Sequence, residues 1–178
     1  MTVLWSTYIS AEPSSVESLD LKFNVIKTEF ENKKKQYALK SNAPEQSWSL
    51  KWEPLDEADV NNIFNFYVAR HGTYEAFYWY HPYEKTTLTQ ETSASTTLHV
   101  AQTMRVMVGD TILINTDVRT VASVDDANKH IVLTTNVSAA IGSVVQLRYT
   151  VRFGNELSLQ TIKAWLYTLG LTFERDMG

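Results

Sequence analysis

Apolar residues recur at every second position along most of this chain, which is the signature of strands with one buried face. The first segment, to about Ser18, is mixed, with Trp5, Tyr8 and Ile9 ahead of a Glu12-Pro13-Ser14-Ser15 stretch, and reads as an edge strand followed by a loop. From Leu19 the alternation is strict, with Leu21, Phe23 and Val25 set against Lys22, Asn24 and then Lys27. Aromatic and β-branched residues at this period predict a half-buried strand. A polar turn at Glu31 to Lys35 returns the chain through Tyr37 and Leu39. Asn42-Ala43-Pro44 breaks it, and Trp48, Leu50 and Trp52 alternate in the next strand.

Residues 54 to 72 change period. Pro54 is expected to stop the strand and Asp56 to cap a helix over 56–71, with Asp59 adding a carboxylate where the helix dipole favours it. Val60, Ile63, Phe64 and Tyr67 fall at i, i+3, i+4 and i+7, the stripe of an amphipathic helix covering a sheet. Arg70 and His71 fall in its last turn, and Gly72 stands where a left-handed C-cap belongs.

Aromatic residues crowd the segment after the helix: counting His81, they fill seven of the ten positions from Tyr74 to Tyr83. As a strand, Phe77 and Trp79 point to one side and Tyr78 and Tyr80 to the other, so both faces need cover. The cover is either the protein's own core or a neighbouring subunit. Tyr78, Tyr80 and Tyr83 are the candidate interface residues, because interfaces favour exposed Tyr and Trp. Trp48, Trp52, Phe64, Trp79, Trp165 and Phe173 suffice as a core.

Residues 85 to 97 shift to Thr and Ser and read as a boundary. Beyond it, five or six short strands punctuated by Gly109-Asp110, by Asp125 to Lys129 and by Ile141-Gly142-Ser143 suggest a small all-β barrel or sandwich. The earlier style then resumes with Tyr149, Val151 and Phe153, and again from Tyr167 to Phe173; Leu157 to Leu166 is ambiguous by period. The layout is a discontinuous β domain, 1–85 plus 148–178, interrupted by an inserted barrel at 86–147. Such insertion is tolerated where the two ends of the insert lie close together.

Composition narrows the function classes. The chain has 178 residues, 44% apolar, with a formal net charge of −4 and both signs scattered. Neither a basic nucleic-acid face nor a polybasic membrane anchor is visible. The Lys33-Lys34-Lys35 run reads as a solvated turn rather than a phosphate site. With no cysteine, disulfides, thiolate metal sites and thiol nucleophiles are excluded. No segment approaches the roughly 20 apolar residues of a membrane span, and the first residues lack the charged and apolar regions of a signal peptide. The expectation is a protein made in a cytoplasm, without membrane insertion.

Residues that could carry chemistry are few and scattered. His71 reads as a helix-end cap, His81 as a turn residue, and His99 and His130 as solvent-facing strand positions; none has metal-ligand spacing. Asp125-Asp126-Ala127-Asn128 lacks the glycine and distant Glu of a calcium loop. Glu12, Glu17 and Glu29 could serve in a glycosidase pair only at separations that sequence does not give. The reading is a non-enzymatic protein without cofactors or metals.

The order of these features resembles the minor tail proteins of lambda-like long-tailed phages. A hairpin and a Trp-bearing strand precede Pro54-Leu55-Asp56-Glu57-Ala58-Asp59 and a helix ending His71-Gly72. Phe77-Tyr78-Trp79-Tyr80-His81-Pro82-Tyr83 looks like that family's aromatic strand. Val151-Arg152-Phe153-Gly154 and Leu171-Thr172-Phe173-Glu174 are similar to its closing strands. The resemblance covers about 19–84 and 148–176. It implies a distal tail protein: a mainly β, tail-tube-like β-sandwich with one flanking helix, forming a typically hexameric ring with itself in the virion. That ring would join the tail tube protein to the tail hub proteins, with DNA only passing through its lumen. The insert departs from the shortest members, and either binds saccharide or widens the ring. The alternative reading is a carbohydrate-binding β-sandwich recognising a cell-surface glycan. Removing about 88–147 should leave a cooperatively folded remainder, checked by a single sharp thermal transition.

Overall fold

The structure, a computed structural model, describes residues 2–31, 33–39 and 44–176. The protein is mainly β. Its elements run β1 (Val3–Leu4), α1 (Trp5–Tyr8), β2 (Ser15–Lys22), β3 (Val25–Glu29), β4 (Lys35–Leu39) and β5 (Glu45–Leu55), then α2 (Glu57–Ala69). There follow β6 (Phe77–Thr87), β7 (Thr92–His99), β8 (Thr111–Ile114), β9 (Asp117–Asp125), β10 (His130–Ala139), β11 (Val144–Phe153), β12 (Ser158–Lys163) and β13 (Leu166–Arg175). They form two compact units: 1–3, 7–77 and 150–178 in the first, and 4–6 with 78–149 in the second. The division falls at Phe77/Tyr78 and Tyr149/Thr150. The Thr/Ser-rich stretch that reads as a boundary is strand instead, with Thr86 and Thr92 buried.

In the first unit β5 is flanked by β2 and β13, both antiparallel to it. The alternation of β5 buries Trp48, Leu50 and Trp52, and the register sets them opposite Phe173, Leu171 and Leu169 of β13. β12 pairs with the outer part of β13, so the ambiguous segment is a strand. Pro54 does not stop β5, which runs on to Leu55. The break expected at Asn42-Ala43 lies outside the described residues.

The long alternating strand expected from Leu19 is two elements. β2 ends at Lys22, and Val25 starts a separate two-stranded sheet with β4. Leu21, Phe23 and Val25, expected on a buried face, are about half exposed. The local pattern is right for a strand, but no other layer among the described residues lies over it. Ahead of β2, the expected edge strand is only the two residues of β1, followed by the single turn α1.

Asp56 caps α2 as expected, its Oδ1 accepting the Asp59 N–H at 2.8 Å. The helix ends at Ala69, and the chain leaves it through His71 and Gly72, both at positive φ. Its buried residues are Ile63 and Phe66, whereas Phe64, expected in the stripe, is 52% exposed. Phe66 packs edge-on against Phe77 at 5.2 Å, and Phe77 lies 4.9 Å from Phe153 and 5.2 Å from Phe173. The aromatic cluster thus selects which side of the helix turns inward. Trp165, also expected in the core, lies at a hairpin tip in solvent.

The second unit is built on an antiparallel sheet in which β11, β8, β9, β10 and β7 are successive neighbours, of which β8, β9 and β10 are consecutive in the chain. Ile112, Ile114, Val121, Ile131, Leu98, Val145 and Leu147 fill its interior. The three expected turns are present. Gly109 and Gly142 supply positive φ, and Asp125 ties its loop by accepting from the Asn128 backbone and side chain.

Phe77→Ala should cost about 3–5 kcal/mol of unfolding free energy and Phe64→Ala under about 1 kcal/mol, as read from urea melts of the two variants.

Candidate subunit interface

β6 carries the three interface candidates, and they differ. Tyr78 is half-buried, with the Arg148 guanidinium 4.1 Å from its ring centroid, so a cation already covers one face. Tyr80 is half-buried as well. Tyr83 is 58% exposed, its ring edge-on to His81 at 6.3 Å. Of the three, Tyr83 offers the most ring to a partner.

The cause lies in the strand itself. Phe77, Trp79 and His81 are buried, but the alternation slips by one residue at Pro82, and Pro82, Glu84 and Thr86 are buried next. A one-residue slip sends every later side chain to the other face. Without it Tyr83 would point inward and Glu84 outward, so a strict period-two reading misses the buried carboxylate.

Glu84 is held there by polar partners. The Tyr149 hydroxyl donates to its Oε2 at 2.6 Å, and the Arg105 guanidinium lies 3.5 Å from Oε1. His81 is not a turn residue but a buried strand residue, and its Nδ1 accepts the backbone N–H groups of Tyr83 (3.3 Å) and Glu84 (3.0 Å). Its carbonyl accepts from Gln146 Nε2 at 3.0 Å. Burial pushes the His81 pKa below its ordinary 6.5; the Glu84 carboxylate opposes that shift and Arg105 adds to it. The cluster fixes the strand where its phase changes. An imidazole nitrogen that accepts two backbone bonds is not placed as a base for a bound substrate.

The other histidines sit at separate places. His99 and His130 are half-buried and opposite each other in register, rings 4.2 Å apart, rather than facing solvent singly. His71 lies beyond the helix end and pairs with Glu75 at 3.1 Å. Among the described residues no group of three or more His, Asp or Glu could hold a metal ion. A cavity of about 560 Å³ in the first unit sets Asp20, Glu45, Glu174 and Asp176 against Lys22 and Arg175, a mixed-sign lining.

Exposed aromatic surface is concentrated elsewhere. Among the described residues, Tyr8, Phe23, Phe30, Tyr37, Phe64, Tyr74 and Trp165 are exposed in the first unit, against Tyr83 in the second. The β3–β4 hairpin is the clearest case, since every residue of both strands is exposed. Val25 opposite Leu39 puts apolar atoms on one face, and Ile26 opposite Ala38 puts them on the other. Its tip closes with Phe30 donating to the Lys34 carbonyl and Lys33 to that of Phe30, leaving the lysines in solvent as expected. Sequence reasoning found this hairpin but gave it a buried face.

No protein-family model and no curated protein matches this chain.

The pH dependence of stability follows from His81. Its folded pKa is depressed, so the unfolded chain binds the extra proton more readily. Stability should be full above the unfolded value near 6.5 and fall as pH drops from there toward the folded pKa. His81→Asn should flatten that slope between about pH 7 and 5, measured as urea midpoints across pH.

Proposed function

We propose that this chain is a structural subunit of a phage tail tip, assembling with copies of itself into a ring that connects the tail tube to the central hub. The observation that carries the reading is the β3–β4 hairpin, a two-stranded sheet with apolar residues on both exposed faces. An isolated two-stranded hairpin is marginal in water, and exposed apolar surface with open strand edges invites pairing with another chain. Ring contacts are heterologous, each subunit offering one patch to the next and receiving another. A projecting hairpin fits the donor half of such a contact.

The mainly β architecture and the capped helix α2 leading to an aromatic strand agree with what the resemblance implies. In this reading the first unit is the tail-tube-like sandwich and the second the inserted small barrel. The protein is structural and carries no catalytic site or cofactor. The formal net charge of −4 suits a lumen through which DNA slides without sticking.

Solution mass across a concentration series, with images of any large species, tests the proposal. A closed assembly of about six copies with a central hole is expected. Ile26→Asp combined with Leu39→Asp should shift the mass to monomer while the thermal transition is kept. Assemblies that persist in that double variant would remove the hairpin from the contact. A monomer that binds glycans would replace the reading with a carbohydrate-binding one.

A further inference from the structure

The hairpin β12–β13 carries an anomaly at its tip. Lys163 pairs with Leu166, so Ala164 and Trp165 form a two-residue loop. Trp165 sits at φ +68° with 68% of its surface exposed. That backbone region suits Gly or Asn and is an outlier for a bulky side chain. A glycine would close the same turn without strain and without an indole in water. The tip is apolar around it: Ile162 and Leu166 are also exposed. Strain held at an exposed aromatic points outward, to something the residue meets beyond its own fold.

Elsewhere in the same unit a cavity of about 340 Å³ lies along helix α2. Asn62, Asn65, Phe66 and Ala69 line it, a single helical stripe at i, i+3, i+4 and i+7, with Val3 and Tyr8 opposite. Its floor is the Phe66 ring, with Tyr8 tilted against it at 5.6 Å. At its end stands Arg70, whose guanidinium is 5.9 Å from the Phe66 centroid and whose buried Nε has no hydrogen-bond partner. The lining therefore offers an aromatic ring and, beside it, a guanidinium that is paired with Glu75 at 2.7 Å and presents a cation to the face of an entering ring.

We infer that Trp165 of one copy inserts into this helix α2 cavity of the next copy, as the anchor of a head-to-tail contact. The inference rests on the ring reading and names its central pair. Two observations select a second copy over another occupant. Knob and cavity lie on different elements of one chain, so the contact repeats from copy to copy without using up either patch, as a heterologous interface requires. The charges match: Lys163 precedes the knob, while the first turns of α2 carry Asp56, Glu57 and Asp59, the last one helical turn from Asn62. One buried Trp supplies only about 150–250 Å² of the roughly 1,200 Å² that a stable interface needs. The β3–β4 hairpin faces supply further apolar surface, and the indole is the hot spot within it.

The chain has no cysteine, which makes the test direct. Two single variants, Ala164→Cys beside the indole and Ala69→Cys, one of them tagged, are mixed and oxidised; a disulfide joining them can form only between copies. Expected is a cross-linked heterodimer in clear excess over that given by Gln160→Cys, on the neighbouring exposed strand, with the same Ala69→Cys partner. In parallel, Trp165→Gly should keep or raise the melting temperature, because it relieves the turn, while lowering the assembled mass at least tenfold in apparent affinity. No excess over the control at any concentration overturns the inference. If wild type forms rings and Trp165→Gly forms them equally well, the inference fails while the ring reading stands. Saccharide binding to the monomer, lost in Trp165→Gly, would assign the indole to a glycan and overturn it too.

Discussion

Phe77, Phe153 and Phe173 come from three segments far apart in the chain and meet with ring centroids 4.9 to 5.6 Å apart. All three are essentially without solvent exposure, and Phe66 of helix α2 closes the cluster from above. Each tilted or edge-to-face pair adds about 0.5–1.5 kcal/mol beyond the area it buries. More important is what the cluster specifies. It seats the helix on one side only, and fixes β13 in the register that sets Phe173 opposite Trp48. The order of the first unit follows from it: β5 lies between β2 and β13 because its alternate tryptophans are needed on that face.

In the second unit a polar device plays the corresponding part. The slip at Pro82 turns a carboxylate inward, and an unpaired buried carboxylate would cost several kcal/mol. Tyr149 and Arg105 offset that cost, and His81 accepts the backbone N–H groups of Tyr83 and Glu84 where the strand changes phase. The same slip turns Tyr83 outward. The exposed ring and the buried acid are two consequences of one backbone event, so neither can be altered without regard to the other.

The exposed hairpins are different in kind. Leu21, Phe23, Val25, Ile26, Tyr37 and Leu39 are placed as a core would place them, yet they stay about half exposed or more among the described residues. Trp165 adds an indole held in an unfavourable backbone region. In the ring proposed above, both features would weaken a solitary copy and strengthen an assembled one, with the balance set by protomer concentration.

The sequence by itself determined most of the local structure. The alternation of Trp48, Leu50 and Trp52, the Asp56 cap, the turns at Gly109, Asp125 and Gly142, and the inward set of Tyr149, Val151 and Phe153 were all legible. Periodicity and turn chemistry act within a few residues and need no partner to be read. Tertiary structure decided what lies over each face. Leu21, Phe23 and Val25 alternate as well as any core strand but meet no second layer among the described residues. Phe64 lies on the apolar stripe of α2, but the phenylalanine cluster meets Phe66 instead. Glu84 looks like a solvent-facing residue until the slip at Pro82 turns it in. Burial is a property of what another segment brings to the face, and a pattern along one strand carries no information about that.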